Sequence, residues 1–480
     1  MILVIDNHPY QYETEKLCRI FYPTDKIRTV FSPEEAKGDH IITSLSDDII
    51  STQINIGGKK SVSRETVRDK NDIEMQLAGL LVRELSKITG ITPEWGVLTG
   101  IRPSKIMMDR LEKTSEKEAL EHFEKRFLVS REKAELALKV AKREKRITEK
   151  AVPRSVNLYV SIPFCPTRCN YCSFVSHSIE KTVKLMEPYI ENLCREIEIT
   201  GKIVKEEGLR LDTVYFGGGT PTTLDEYQLD TILSCIEDNF DLSDLLEYTV
   251  EAGRPDTVSS GKLRTLKKHN VGRISINPQT FNQQVLDNIG RKHTVEDIYK
   301  AFFLARECGF DNINMDLIAG LTGDTYESFC QSVDSAVKLQ PENITVHTLS
   351  LKSSSYLVTE REKVGSSGAL AAQMVNFAGK TLEKNDYMAY YMYRQSKSLG
   401  NLENVGWCKE NRECLYNIFM MEECASVFSC GAGAVTKLVS PRDGKIERIF
   451  NYKYPYEYND RFSDITKRKK RITEFFSEYK

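Results

Sequence analysis

The sequence predicts an α/β protein built on a partial, TIM-like (β/α)6 barrel, with an N-terminal α/β module and a C-terminal mixed α+β region. Three observations predict it. Six short apolar runs recur through the middle of the chain, at 156–162, 212–216, 246–251, 272–276, 311–318 and 343–349. Amphipathic stretches lie between them at 186–205, 225–238, 259–269, 295–308 and 325–339, and strand–helix alternation of this kind builds parallel sheets. Polar or glycine-rich residues follow or end successive runs, and barrels carry their chemistry at the C-terminal ends of their strands. Six units are too few for a closed eight-fold barrel but enough for an open one.

The elements follow in order. Met1 to Ile5 reads as a short buried strand. Residues 49–67 alternate, with Gly57 and Gly58 marking a hairpin turn. Residues 72–89 carry apolar side chains at helical spacing and stop at Gly90. The Lys- and Glu-rich stretch 115–147 reads as a solvated amphipathic helix pair that Pro153 ends. This divides the chain into an accessory domain over 1–150, a core over 151–360 and a substrate-side domain over 361–480. Beyond residue 360 the pattern is less regular. Residues 383–394 are rich in Tyr and Met, and a basic run, Lys467 to Arg471, reads as a solvated helix face.

Composition excludes several classes. With 67 Lys+Arg against 69 Asp+Glu, the net charge is −2, which gives no field for nucleic acid or an anionic membrane. Forty per cent apolar residues with 15 Pro and 27 Gly exclude global disorder. No apolar run approaches the ~18 residues of a membrane span. Met1 leads directly into Ile-Leu-Val-Ile-Asp, without the basic and cleavage regions of a secretory signal, so a cytoplasmic protein is expected. The 12 cysteines are then expected to be reduced thiols.

Cys18, Cys194, Cys235, Cys308 and Cys330 are scattered and read as small buried hydrophobes. Cys165, Cys169 and Cys172 are not scattered. They sit at C-x3-C-x2-C in Ser161-Ile-Pro-Phe-Cys165-Pro-Thr-Arg-Cys169-Asn-Tyr-Cys172-Ser-Phe174, directly after the first apolar run. Three soft thiolates suit an iron–sulfur cluster or zinc. A structural zinc wants a fourth ligand, and the nearest histidine, His177, is five residues on. On a four-iron cluster, three ligands leave one iron open to a further ligand. The second run ends in Gly217-Gly218-Gly219-Thr220-Pro221, where glycines admit a ligand close to the backbone and leave amide donors free. Glu251 ends the third run, the fourth leads to Gln279, and the fifth contains Asp316. Glu251 and Asp316 are expected to end neighbouring strands and point into one mouth. Cys408, Cys414, Cys424 and Cys430 read as buried thiols, with a second metal site as the alternative.

These motifs resemble radical S-adenosylmethionine (SAM) enzymes, and among them the oxygen-independent coproporphyrinogen III oxidase group. Leu158-Tyr159-Val-Ser-Ile-Pro-Phe-Cys165, Phe216-Gly-Gly-Gly-Thr-Pro-Thr222, Gln279-Thr-Phe-Asn282 and Asn314-Met-Asp-Leu-Ile-Ala-Gly320 carry the likeness. The stretch from Trp95 to Lys105, Tyr391-Met-Tyr-Arg-Gln395 and Gly431-Ala-Gly-Ala434 further resemble its coproporphyrinogen dehydrogenase HemZ branch. The resemblance implies that Cys165, Cys169 and Cys172 hold a 4Fe-4S cluster whose free iron binds SAM. Tyr159 would contact the polar end of SAM, the Tyr171 backbone its adenine, and Gly218, Gly219 and Thr220 its amino group. Glu251, Gln279, Arg291 and Asp316 would bind its ribose, carboxylate or sulfonium surroundings. Two departures stand out: Phe174 occupies the place of a fourth cysteine in the proven dehydrogenases, and Asn277-Pro278 precedes Gln279.

What the resemblance implies is oxidative decarboxylation of two coproporphyrinogen III propionates to vinyls, giving protoporphyrinogen IX in haem biosynthesis. A flavodoxin- or ferredoxin-type protein would donate the electron. Arg102, Lys105 and Arg394 are candidates for the substrate carboxylates. Two alternatives share the same core: a haem-binding chaperone, and an anaerobic haem-modifying radical enzyme. The chaperone branch uses a His-Asn pair near its C-terminus, whereas no histidine follows His347 here.

Overall fold

Parallel strands buried on both faces read as unbroken apolar runs, and the six runs of the sequence become six such strands. The computed structural model describes the 480-residue chain except residues 24, 101, 153, 173–176, 351–366, 396 and 480. Pro153 and Phe174 lie outside the described residues, as does the side chain of His177. The chain forms two compact units: Met1–Lys142 with Ser367–Gln373 and Met392–Asn404, and Arg143–Ser366 with Met374–Tyr391 and Val405–Lys480.

The first unit contains a five-stranded sheet of β1 (Ile2–Asp6), β2 (Arg28–Val30), β3 (His40–Ser46), β4 (Ile49–Ile56) and β5 (Lys59–Thr66), in the order β2-β1-β3-β4-β5. The hairpin expected at Gly57 and Gly58 joins β4 to β5. Its apolar alternation places Ile50 against Leu77 and Leu80 of a helix over Ile73–Thr89. Helices follow at Glu116–Phe127 and Arg131–Thr148. They are less solvated than their composition suggests, because Leu120, Phe123 and Phe127 of the first are buried, as are Ala134, Ala137, Val140 and Ala141 of the second.

This unit also accounts for two branch motifs. Arg394 is buried and donates to the carbonyls of Leu98 (2.7 Å) and Gly100 (2.5 and 3.0 Å). Its guanidinium lies 5.2 Å from the centre of the Trp95 ring. Trp95 Nε1 donates to Glu403 Oε2 (2.6 Å), and Lys133 closes a buried ion pair with the same carboxylate. Arg394 is thus committed to the backbone of its own motif partner, which is a structural task and leaves no fork for a substrate carboxylate.

In the second unit, β6 (Ser155–Ile162) leads through a short parallel pair, β7 (Phe164–Cys165) with β8 (His177–Ser178), to a helix over Ile179–Glu206. Then β9 (Arg210–Gly218), β10 (Glu247–Glu251), β11 (Arg273–Ser275), β12 (Ile313–Ala319) and β13 (Asn343–Thr348) alternate with helices. All five neighbouring pairs from β6 to β13 are parallel. The C-terminal region continues this sheet at both edges. It adds β14 (Met388–Arg394) and β15 (Glu403–Cys408) beyond β13, and β16 (Ser426–Cys430), β17 (Val435–Val439) and β18 (Ile446–Phe450) beyond β6. The sheet is therefore open, with eleven strands in the order β14-β15-β13-β12-β11-β10-β9-β6-β16-β17-β18.

The expectation of a solvated basic run near the C-terminus is corrected at one residue. Lys469, on the helix over Phe462–Glu478, is 2 % exposed and pairs with the fully buried Glu196 at 3.0 Å. Glu196 also accepts from Gly431 N (2.8 Å), Asn451 Nδ2 (2.8 Å) and Tyr458 Oη (2.7 Å). The pair thereby fixes the Gly431–Ala434 turn beside β6. Gly431 has φ 102°, and a Cβ there would lie 2.5 Å from Tyr189 Oη and 2.6 Å from Ser161 O, so only glycine fits.

Candidate active site

The starts and ends of the six strands have different occupants. At the starts, Glu247 accepts from Leu415 N (2.7 Å) and Cys414 Sγ (3.3 Å). Arg273 and Asn343 both donate to Arg412 O, at 3.1 and 2.7 Å. Residues 412–416 thus close that end and seat Tyr416 against the rings of Tyr215 (4.5 Å) and Tyr159 (6.1 Å). At the other end lie Cys165 after β6, Thr220 after β9, Glu251 ending β10, and Asn277 and Gln279 after β11. This is the end where parallel barrels place their chemistry.

The thiol loop lies across that end. Cys165 and Cys169 are buried and Cys172 half-buried, and none of the three is in a disulfide. Cys165 Sγ is 3.4 Å from Thr220 Oγ1. A Cβ on Gly219 would lie 3.0 Å from Cys165 Sγ and 2.5 Å from Phe164 O, so the glycine permits this close approach. The glycine amides are not free, however. Gly219 N donates to Ile162 O (2.7 Å) and Thr220 N to Phe164 O (2.8 Å). The expectation of open amide donors is corrected, because the backbone of the β6 loop takes them.

Arg291 is buried beside the loop. It donates to Asn277 O (2.7 Å) and Tyr171 Oη (3.3 Å), while its Nε is buried without a partner. An unpartnered buried N–H is costly unless a ligand completes it. Gln279 is buried, at φ 68°, and its backbone joins β12: Gln279 N donates to Asp316 O and Ile318 N to Gln279 O. The Asn277-Pro278-Gln279 segment therefore continues the sheet where β11 itself has stopped.

Glu251 and Asp316 do not end neighbouring strands. β11 lies between theirs, and Asp316 is the fourth residue of β12. Their charges still interact, and their environments push them apart. Burial, helped by the charge of Asp316 and opposed by the hydroxyl of Tyr215 (2.7 Å), raises the Glu251 carboxyl to about 7. Burial also acts against the Asp316 anion, but His347 Nε2 at 3.7 Å and Asn314 Nδ2 at 2.8 Å outweigh it and hold that carboxyl below its ordinary value. Near neutral pH the site thus holds one firm anion and one group able to take or give a proton. Tyr215, Asn314, His347 and Tyr416 were not singled out from sequence. Tyr215 lies two residues before Gly217, and Asn314 two before Asp316, so strand alternation places each pair on one face.

The Glu251 shift has a testable consequence. The folded carboxyl titrates near 7 against an ordinary 4.5. Its stabilising contribution is therefore complete below pH about 4.5 and declines as pH rises through 7. Glu251→Gln removes the titration. Denaturant unfolding should show Glu251→Gln gaining on the wild type by roughly 2–3 kcal/mol between pH 5 and 8. A difference independent of pH would contradict the assigned environment.

The four C-terminal cysteines do not converge. Cys414 donates to Glu247, Cys430 lies 3.4 Å from Thr200 Oγ1, and burial pushes Cys408, Cys424 and Cys430 up to about 12. Among the described residues no group of three Cys, His, Asp or Glu side chains is already drawn together around a metal position. Cys165, Cys169 and Cys172 nevertheless fit a cluster by their chemistry: three thiols outside any disulfide on one anchored loop, beside a glycine whose missing Cβ leaves Cys165 room. Among the described residues no helix is long and apolar enough to cross a membrane.

Comparison with known proteins agrees with this geometry. Residues 159–336 match the family model described as the Radical SAM superfamily. The chain is 39% identical over 386 residues to the oxygen-independent coproporphyrinogen-III oxidase-like protein HemZ of Bacillus subtilis (strain 168), covering 79% of this chain and 77% of that one. It is 39% identical over 192 residues to the heme chaperone HemW of the same organism, covering 40% of this chain and about half (49%) of the chaperone. Among solved structures, the radical SAM enzyme coproporphyrinogen III oxidase (HemN) from Escherichia coli superposes with a TM-score of 0.52 at 21% identity, over 66% of this chain and 72% of that one. That likeness shows the fold.

Proposed function

The chain belongs to the oxygen-independent coproporphyrinogen-III oxidase-like group of the radical SAM superfamily, whose members bind a 4Fe-4S cluster and SAM, and from that premise we propose that it is a SAM-dependent oxidoreductase acting on coproporphyrinogen III. It would decarboxylate two propionates oxidatively to vinyls without oxygen, giving protoporphyrinogen IX: each propionate would lose a hydrogen atom from its β-carbon to the radical, release carbon dioxide and pass one electron to an external one-electron acceptor. The observation that carries this reading is the likeness to HemZ over most of both chains.

Cys165, Cys169 and Cys172 would hold the cluster. Bound together, cluster and SAM supply a radical able to take a hydrogen atom from the propionate β-carbon. The protein's own residues bind and orient. Arg291 offers its buried, unpartnered Nε to the SAM carboxylate. Its amino group needs acceptors, which the Thr220 hydroxyl and the backbone carbonyls around Gly218 and Gly219 can provide. Glu251 and Asp316 accept from hydroxyl groups or face the sulfonium. Tyr159, stacked on Tyr215 and Tyr416, would meet the polar end of SAM, with Tyr171 and Gln279 bordering the adenine and ribose.

Removing one hydrogen bond to a charged group costs roughly 1.5–3 kcal/mol. Asp316→Ala should therefore lose about ten- to a hundred-fold in SAM affinity, measured by anaerobic titration of the reconstituted protein. Unchanged affinity would make Asp316 a structural partner of Asn314 and His347. A haem carrier is the second reading, favoured by the identity to the chaperone across the core. Haem affinity measured beside SAM turnover on coproporphyrinogen III separates the two. Tight haem binding without turnover would replace the enzyme reading.

A further inference from the structure

Arg254 lies in the turn after β10, three residues beyond Glu251, and is 3% exposed. Its guanidinium is gripped by Asp256 on two sides, Nε to Oδ1 at 2.9 Å and a terminal nitrogen to Oδ2 at 2.7 Å. The other terminal nitrogen reaches the thiol loop, donating to Thr167 Oγ1 (2.7 Å) and Thr167 O (3.2 Å). Thr167 is the midpoint between Cys165 and Cys169.

The same loop is tied from a second side. Thr167 Oγ1 donates to Gly290 O (3.3 Å), Asn170 N to Ile289 O (3.2 Å) and Asn170 Nδ2 to Asn288 O (2.8 Å). The segment 288–291 also delivers Arg291 to Tyr171. Two turns from different strand–helix units therefore converge on the middle of the loop, and Thr167 is the residue both reach.

We propose that Arg254, held by Asp256, is a positioning residue that clamps the loop through Thr167 and so sets how firmly Cys165, Cys169 and Cys172 retain their cluster. This rests on the reading that those thiols hold the cluster. A planar fork is required, since one group must meet a carboxylate bidentately and a carbonyl and hydroxyl together; a lysine ammonium has no such geometry. A buried fork fixed by a carboxylate also loses little freedom when it binds the loop.

The test is iron release from the anaerobically reconstituted protein to a ferrous chelator, followed by absorbance, with the melting temperature of the metal-free protein as control. Arg254→Ala should release iron on the order of ten- to a hundred-fold faster than the wild type. Arg254→Lys should not restore retention. Arg254 is buried, so Thr167→Val supplies a second variant on the loop itself. It removes the hydroxyl and should release iron faster, whereas Thr167→Ser should behave as the wild type. Wild-type release rates in Arg254→Ala and Thr167→Val would overturn the clamp while leaving the cluster reading intact. Faster release that follows a lowered melting temperature of the metal-free protein in both variants would also overturn it, as a folding defect. A wild type that takes up no cluster would overturn both readings.

Discussion

Cys169→Ala, reconstituted anaerobically with iron and sulfide, should show none of the broad visible absorption of a 4Fe-4S cluster and should cleave no SAM. Cys165→Ala and Cys172→Ala should behave alike. The three thiols share one loop across the mouth of six parallel strands, and no other described thiol lies there. Cys408, Cys414, Cys424 and Cys430 point elsewhere, with Cys414 on Glu247 at the opposite strand ends and Cys430 against Thr200. Replacing those four by Ser should leave the cluster signal intact. Full cluster content in Cys169→Ala would remove the basis for the site.

Glu196→Gln should be strongly destabilising although Glu196 is remote from the thiol loop. Glu196 and Lys469 are 0% and 2% exposed. The carboxylate binds the Lys469 ammonium, a backbone amide, an Asn amide and a Tyr hydroxyl at once. Removing its charge leaves the ammonium buried without a counter-ion, at a cost of about 3–5 kcal/mol. Replacing both partners by uncharged residues of similar volume should recover much of the loss, because neither charge then needs compensation. Denaturant unfolding checks both variants, and a loss below about 1 kcal/mol in Glu196→Gln would show that the pair is not the staple of the Gly431–Ala434 turn.

How much of this was legible follows from how far apart the interacting residues lie. The six barrel strands were legible because a parallel strand covered on both faces is an uninterrupted apolar run, and the site followed because Cys165, Thr220 and Glu251 stand at run ends. Asp316 was legible as a site residue but not as a mid-strand one. The intervening β11 has only three residues, and Gln279 rejoins the sheet after Asn277-Pro278, a detour no periodicity records. The glycines at 217–219 were legible as a close approach, but the destination of their amides depends on Ile162 and Phe164 of another strand. The pairs Arg254 with Thr167, Glu196 with Lys469, and Arg394 with Leu98 and Gly100 join segments distant in sequence. Nothing local distinguishes Lys469 from its exposed neighbours in the basic run. Its burial is decided by Glu196 on another helix.

Anaerobic incubation of the reconstituted protein with reductant, SAM and coproporphyrinogen III tests the assigned reaction most directly. Protoporphyrinogen IX should form, with two SAM consumed for each product molecule, one for each propionate converted to vinyl. Formation of 5′-deoxyadenosine with no vinyl product, even with electron acceptors added, would contradict the assignment of coproporphyrinogen III as the substrate.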